Sequence, residues 1–245
     1  DRILTTHVGS LPRPAKLEEL LYKVEFEEAY DPAELDQAAT DAVAEMVAQQ
    51  SSWGLDIIND GEMSKTGYAT YIQQRLGGFS GDSPSVRFDD LSNFPGYRKM
   101  LSRMAETRRL NRPCCTSEVV IRDREPLRKD LENLTAASQG SDATEFFMNA
   151  ASPGVISVFQ NNEYYPDDDA YLDALAGVMR EEYGAIANAG FVQQIDCPDL
   201  AMGRHTEYRE LSEADFLKHA AMQIEALNAA LANIPADRVR MHICW

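Results

Sequence analysis

Short runs containing β-branched residues alternate with longer amphipathic stretches along most of this chain. The runs occupy residues 4–9, 55–60, 114–121, 155–160, 192–196 and 239–244. Between them, residues 168–188 and 213–232 carry apolar side chains at the 3.6-residue spacing of a helix packed on one face. Alternating strands and helices are typical of βα units, whose strands form a parallel sheet.

The length of the chain favours one closed form of that sheet. A single α/β barrel takes roughly 200 to 250 residues, and this chain has 245. Six runs are two short of the eight strands of a barrel, and a sheet ending on the last run would have an unprotected edge. We therefore predict an α/β fold, a (β/α)8 TIM barrel over residues 1–245. About six of its eight βα units are present and its C-terminal end is truncated. An open six-stranded parallel sheet is the alternative.

Residues 77–112 break the alternation. They begin with the loop-like sequence Gly77-Gly78-Phe79-Ser80-Gly81 and continue with aromatic and basic residues of no clear period. We predict a long insertion after the second strand, near the mouth of the barrel.

Charge and cysteine content limit the partners. The formal net charge of −17 opposes binding to nucleic acid, and no apolar stretch reaches the roughly 18 residues of a membrane span. The four cysteines lack the regular spacing of a disulfide framework. We expect a cytoplasmic protein with small-molecule partners; nothing in these patterns indicates an oligomeric state.

The last run carries two metal-ligand side chains. His242 and Cys244 are two residues apart, so in a strand they project from the same face, while Met241 and Ile243 face the helices. Imidazole and thiolate are ligands that zinc prefers. A buried cysteine beside a hydrogen-bonded histidine is the ordinary structural alternative.

Acidic residues follow two of the predicted strands. Glu62 ends the segment Asp60-Gly61-Glu62, and Asp196 ends the run 192–196. Carboxylates at the C-terminal rim of a barrel can hold an ammonium group or act as general acid and base. The structural alternatives are a strand-to-helix turn bending at Gly61 and a cap on the turn after Asp196. Ser10, in the turn after the first strand, can donate from the same rim.

Several segments together carry a family resemblance: residues 6–14, 59–63, 151–154, 162–166, 194–196 and 242–245. Through them the chain resembles, over essentially its whole length, the C-terminal catalytic barrel of the cobalamin-independent methionine synthase family, especially its shorter single-barrel relatives. The resemblance implies that Ser10, Glu62 and Asp196 contact the amino-acid portion of a thiol substrate, and that His242 and Cys244 bind zinc. It places the remaining zinc ligands and the acid histidine after Trp245.

The implied activity is a zinc-dependent methyl transfer to a thiol resembling homocysteine, which gives methionine or a related thioether. The methyl donor is left open, because Phe159-Gln160-Asn161-Asn162-Glu163 stands where a folate-contacting tryptophan segment was sought. The chain also has Thr116-Ser117-Glu118-Val119 where the family commonly has Thr-Gly-Pro-Val, so the pocket differs there.

Three other functions fit the same pattern. One is a zinc-dependent transfer of an epoxide or alkyl group to a thiol cofactor. Another is a metal-free enzyme similar to uroporphyrinogen decarboxylase, which would need basic residues such as Arg13 and Arg204 to hold substrate carboxylates. The third is a noncatalytic barrel that binds a small molecule.

Overall fold

The computed structural model describes residues 2–81, 91–100 and 113–244, with residues 68–70 described by their backbone alone. The helices include α1 (Ala15–Glu25), α2 (Pro32–Ser52), α3 (Tyr68–Arg75), α4 (Glu125–Ser138), α5 (Pro153–Phe159), α6 (Asp168–Asn188) and α7 (Glu213–Leu231). The strands are β1 (Ile57–Ile58), β2 (Leu76–Ser80), β3 (Cys114–Ile121), β4 (Glu145–Ala151), β5 (Val192–Asp196) and β6 (Val239–His242). No helix among these residues is long and apolar enough to cross a membrane.

A parallel sheet of order β1-β4-β5-β6 forms the centre of the fold. The run 4–9 joins its edge through a parallel bridge between Thr6 and Ile57. The α/β class and the parallel sheet are therefore confirmed. The described residues supply four hydrogen-bonded parallel strands plus this bridge, rather than six strands, and closure into a barrel stays a prediction.

The helices cover this sheet with apolar faces. Helix α2 begins at Asp31, whose side chain accepts a hydrogen bond from the Ala33 amide, and Pro32 occupies the first turn, where its missing N–H costs nothing. Its buried face and that of α6 pack into one core with Ile58 and Met148 of the strands. Each fully buried side chain of this size stabilises the fold by roughly 1.5–3 kcal/mol.

One predicted strand is wrong. Residues 155–159 of the predicted strand 155–160 belong to α5, Gln160 follows the helix, and the actual strand here is β4, which precedes α5. The Ser152 side chain caps this helix by accepting from the Val155 amide at 2.9 Å, and Pro153 follows in the first turn. Ser-Pro is a helix-start signal that outweighs the β-branched residues Val155, Ile156 and Val158. The three β-branched side chains are all buried, so they contribute to the packing of the core instead of to a strand.

A second correction concerns β3. It has the predicted bounds but pairs antiparallel with β2 in a separate two-stranded sheet, outside the parallel sheet. The glycines expected to form a loop at 77–80 lie within β2, where the register shifts between Gly77 and Phe79. Gly78 has φ +110°, and a side chain there would contact the Glu118 carbonyl. Residues 82–90 and 101–112 of the predicted insertion lie outside the described residues.

A buried contact fixes α5 against the segment after β5. The Asp199 carboxylate accepts a hydrogen bond from Ser152 Oγ at 2.8 Å, and burial raises the pKa of Asp199 to about 6. It lies directly over Gly154, where an added Cβ would be 2.1 Å from Asp199 Oδ2 and 3.1 Å from Gln223 Cδ. Glycine is therefore required here for close approach.

We predict that Gly154→Ala destabilises the fold by about 2–4 kcal/mol, because the new methyl overlaps two buried side chains. Urea unfolding followed by circular dichroism measures this loss. Gly177→Ala is the control: it also lies within a helix, nothing lies within 4 Å of its Cβ position, and it should be neutral or stabilise by about 0.5–1 kcal/mol. Equal unfolding midpoints for the two variants would contradict the steric argument.

Candidate functional site

Polar side chains line one face of the parallel sheet. Asn149 of β4, Gln194 of β5 and Arg240 of β6 are paired in register, so they share this face with Asp196 and His242, which pair two residues further along. We call these five residues the polar strand face. Asn149, Gln194 and Asp196 are buried, whereas strands of a covered parallel sheet are usually apolar. Buried polar groups without a structural need indicate a site.

The turn after β1 approaches this face and is held by a buried amide. Gln50 of α2 donates from Nε2 to the Asn59 carbonyl at 2.7 Å and accepts at Oε1 from the Asn59 amide at 3.1 Å. The same Oε1 lies 2.7 Å from His7 Nε2, so the imidazole donates from that nitrogen. Asn59 in turn accepts at Oδ1 from the Gly61 amide.

Glu62 ends this turn in a strained conformation. Its φ is +56°, in the left-handed region, which costs a non-glycine residue roughly 1 kcal/mol or more. Three hydrogen bonds hold the backbone there: Asp60 Oδ1 accepts from the Glu62 amide at 3.0 Å, and the Glu62 carbonyl accepts from Arg13 at 2.7 Å and from the Lys65 amide at 3.1 Å.

The Glu62 carboxylate meets Asn149. Asn149 Nδ2 donates to Glu62 Oε1, and Gly9 packs against both, since a Cβ there would lie 1.9 Å from Asn149 Nδ2 and 2.6 Å from Glu62 Oε1. Asn149 Oδ1 is buried and accepts no hydrogen bond from the described residues. Three segments thus meet here: the run 4–9, the turn that follows β1, and strand β4. Together they surround the Glu62 carboxylate and the unused acceptor Asn149 Oδ1.

Asp196 faces the same region from the end of β5. Burial, and then repulsion from the Glu62 carboxylate, raise the pKa of Asp196 to about 7, while Lys65 and Arg240 lower it in part. Gln194 Nε2 donates to Asp196 Oδ1 at 3.1 Å. Glu62 and Asp196 therefore form a buried acidic pair that favours binding of a cation.

A buried lysine offsets part of this negative charge. Lys65 is almost fully buried, with Nζ 3.5 Å from the Asn149 carbonyl and 4.9 Å from the centre of the Tyr71 ring. Burial alone would lower the pKa of Lys65, but surrounding carboxylates outweigh burial and raise it; these belong to Asp60, Asp130, Glu62 and Glu182. Lys65 therefore stays charged beneath the acidic pair.

The predicted site residues take the following places. Glu62 and Asp196 are brought close enough to interact electrostatically. Ser10 is exposed and directly follows Gly9, whose backbone touches Glu62 and Asn149. Their roles stay predictions. The sequence reasoning missed Asn149, Lys65 and Gln50. For Lys65, the sequence signal that could have pointed to the site was its position three residues after Glu62.

The predicted zinc ligands are less closely grouped. His242 is the last residue of β6 and pairs in register with Asp196, whereas Cys244 lies beyond the end of the strand and is exposed. The strand was expected to continue to Cys244. Met241 and Ile243, expected against helices, are about half exposed. The described residues contain no group of three or more His, Cys, Asp or Glu side chains arranged around a metal position.

Comparison with known proteins shows what this chain is similar to. The family described as "Cobalamin-independent synthase, Catalytic domain" matches residues 3–86. A methionine synthase from Saccharolobus solfataricus is 26% identical over 242 residues, covering 98% of this chain and 62% of that protein. A methionine synthase from Sulfurisphaera tokodaii is 27% identical over 243 residues, covering 98% and 61%. The chain thus spans about three-fifths of the length of these relatives.

A solved structure supports the fold. The B12-independent methionine synthase from Shewanella sp. W3-18-1, in complex with selenomethionine, aligns with a TM-score of 0.70 at 18% identity, covering 98% of this chain and 61% of that one. Together with the sequence relatives, this match confirms the resemblance to the cobalamin-independent methionine synthase family that the motifs predicted.

The close contact at Gly9 generates a prediction. Gly9→Ala should destabilise the fold by about 1–3 kcal/mol, because its methyl would overlap the Asn149 amide. Asn149→Ala removes that amide, so the double variant should be at least about 1 kcal/mol more stable than the sum of the two single losses.

Urea unfolding of the two single variants and the double variant measures this coupling. Gly184→Ala, whose Cβ position has nothing within 4 Å, is the control and should show no coupling to Asn149→Ala. Additive losses for Gly9→Ala and Asn149→Ala would show that the close contact is not what limits residue 9 to glycine.

Proposed function

We propose that this chain supplies the amino-acid-binding part of a methyltransferase similar to cobalamin-independent methionine synthase. The substrate is homocysteine or a similar amino-acid thiol, and the product is methionine or a related thioether. The observation that carries the proposal is the set of acceptors where the turn after β1 meets the polar strand face. Glu62, Asp196 and the unused oxygen of Asn149 lie together in a buried place.

An α-ammonium group matches this set. It has three donors and a positive charge, and Glu62, Asp196 and Asn149 Oδ1 offer acceptors with a negative balance. An ammonium between the carboxylates lowers their mutual repulsion, which favours the charged form of Asp196. Ser10, at the open side, contributes a hydroxyl donor for the substrate.

The relatives support the same assignment. The Saccharolobus and Sulfurisphaera proteins are named methionine synthases, and the Shewanella structure is a complex with selenomethionine. An amino acid with the shape of methionine is the product expected of the proposed reaction.

We further propose that the thiol is activated by zinc held in part by His242 and Cys244. Their imidazole and thiol groups are of the donor types that zinc takes, and they supply two of its usual four ligands. A free thiol with a pKa of about 8.5 is largely protonated at neutral pH, and zinc held by His242 and Cys244 would supply the charge that favours its thiolate form. His242 lies opposite Asp196 in the adjacent strand, so the thiol and the ammonium of one small substrate fall on neighbouring strands.

The rival functions receive less support. Arg13 donates to the carbonyls of Glu62 and Lys65, and Arg204 donates to the carbonyls of Tyr208 and Arg209. These guanidinium groups stabilise turns, which disfavours an enzyme like uroporphyrinogen decarboxylase that needs them for substrate carboxylates. A thiol cofactor without an amino group would leave the acceptors of the acidic pair unused.

Binding of homocysteine tests the ammonium site. We expect homocysteine to bind at least about 10-fold more tightly than 4-mercaptobutanoate, which lacks only the amino group, because a hydrogen bond to a charged group contributes about 1.5–3 kcal/mol. Glu62→Gln should remove most of this preference. Isothermal titration calorimetry measures both affinities, and incubation with candidate methyl donors then identifies the product.

Glu132→Gln is the control for that experiment, since it changes an exposed glutamate of α4 far from the polar strand face. Equal affinity of the unaltered protein for the two thiols would refute the ammonium site. Binding by the full-length protein without any methylated product would favour the noncatalytic alternative.

Metal analysis tests the zinc proposal. In the full-length protein, which would include the other ligands that the resemblance implies, we expect Cys244→Ser to lose about one zinc per chain after dialysis, because a hydroxyl is a much poorer zinc ligand than a thiolate. Cys197→Ala is the matched cysteine control. The Cys197 thiol is buried and donates a hydrogen bond to the Ile195 carbonyl, so its loss should leave the zinc content unchanged. The same zinc content in both variants would exclude Cys244 as a ligand.

A further inference from the structure

A chain of hydrogen bonds runs along the polar strand face from β6 to the acidic pair. Arg240 Nε donates to Gln194 Oε1 at 2.9 Å. Gln194 Nε2 donates to Asp196 Oδ1 at 3.1 Å and to the Val8 carbonyl at 2.7 Å. Arg240 and Asp196 are thus joined through a single buried amide.

The direction of this amide follows from the chemistry of its neighbours. A guanidinium group only donates hydrogen bonds, so the oxygen of Gln194 must face Arg240. The NH2 group then faces the Val8 carbonyl, which only accepts, and Asp196 Oδ1, which accepts from it. In the flipped amide, donor would face donor at Arg240 and oxygen would face oxygen at both other contacts. Arg240 and the Val8 carbonyl therefore together decide which end of Gln194 meets Asp196, Arg240 by holding its oxygen and Val8 by holding its NH2 group.

Arg240 is itself held in place. Its guanidinium carbon lies 3.8 Å from the centre of the Phe147 ring, a distance at which a cation is attracted to the ring face. Phe147 is fully buried in β4, and Arg240 pairs in register with Gln194. Because the Phe147 ring holds the guanidinium and the strand pairing holds the Arg240 backbone, the guanidinium has little freedom to turn away from the Gln194 oxygen.

We propose that Arg240 is a positioning residue for the ammonium site. It fixes the amide of Gln194, which holds Asp196 Oδ1 and leaves Oδ2 to accept from the substrate ammonium. The ligand in this statement rests on the proposed function. The orientation of the amide does not, so the two can be tested separately.

A double-mutant cycle tests whether Arg240 acts through Gln194. Arg240→Met keeps an apolar chain against Phe147 but removes every donor, and Gln194→Ala removes the amide. We expect each variant to bind homocysteine about 10-fold more weakly, and the double variant also about 10-fold more weakly, because both break the same connection. Arg240→Lys, which keeps a donor, should recover part of the affinity.

Two outcomes of this cycle would overturn the proposal. A loss of about 100-fold in the double variant would mean that the two residues act independently. Unchanged affinity in Arg240→Met would mean that Arg240 positions nothing. Arg238→Met is the matched control: this arginine lies just before β6 and donates to the Gly190 carbonyl, and its loss should leave homocysteine affinity unchanged.

A measurement without ligand separates this proposal from the proposed function. The side-chain amide protons of Gln194, assigned by their loss in Gln194→Ala, should exchange slowly with water in the unaltered protein and faster in Arg240→Met. Faster exchange in a protein that binds no homocysteine would retain the positioning role and refute the ligand. Unchanged exchange in Arg240→Met would refute the positioning role whatever the ligand.

Discussion

The buried amide of Gln50 is the contact on which the site depends. It replaces two backbone hydrogen bonds that Asn59 loses where β1 ends, and so joins helix α2 to the turn that carries Glu62. Leaving either Asn59 group unpaired in the interior would cost about 1–3 kcal/mol. Because Gln50 of α2 fixes the backbone of this turn, Glu62 is held against Asn149 before any ligand binds. The site is therefore built by the packing of a helix on the sheet, and its carboxylate does not rely on a mobile loop.

Local sequence patterns predicted the parts of this fold whose signals are local. The bounds of β5 and β3 were predicted correctly, because a β-branched or apolar run flanked by turn residues needs no distant information. The antiparallel partner of β3 was not predicted, since pairing depends on residues about 40 positions away. Strand β4 was missed because it is buried on both faces and shows no alternation, while the β-branched residues of α5 imitated a strand.

The site residues also divide into those that local sequence patterns predict and those that depend on distant parts of the chain. Glu62 and Asp196 were predicted because acids directly after apolar runs are visible in the sequence. Asn149 was not predicted, because the strand that carries it, β4, was not predicted. Lys65 and Gln50 could not be predicted, because their partners are brought to them only by tertiary packing. The net charge of −17 is a sum over the whole sequence and does not describe the site, where a buried lysine and a stacked arginine accompany the acids.

The left-handed backbone of Glu62 has a consequence for directed evolution. At this position glycine, and to a lesser degree asparagine, meets less steric resistance than glutamate does. A library selected only for heat resistance should therefore drift towards these residues and discard the carboxylate. In a library selected for the proposed binding of an amino-acid thiol, glutamate should persist despite its conformational cost. The residue recovered at position 62 would then report which of the two pressures had acted.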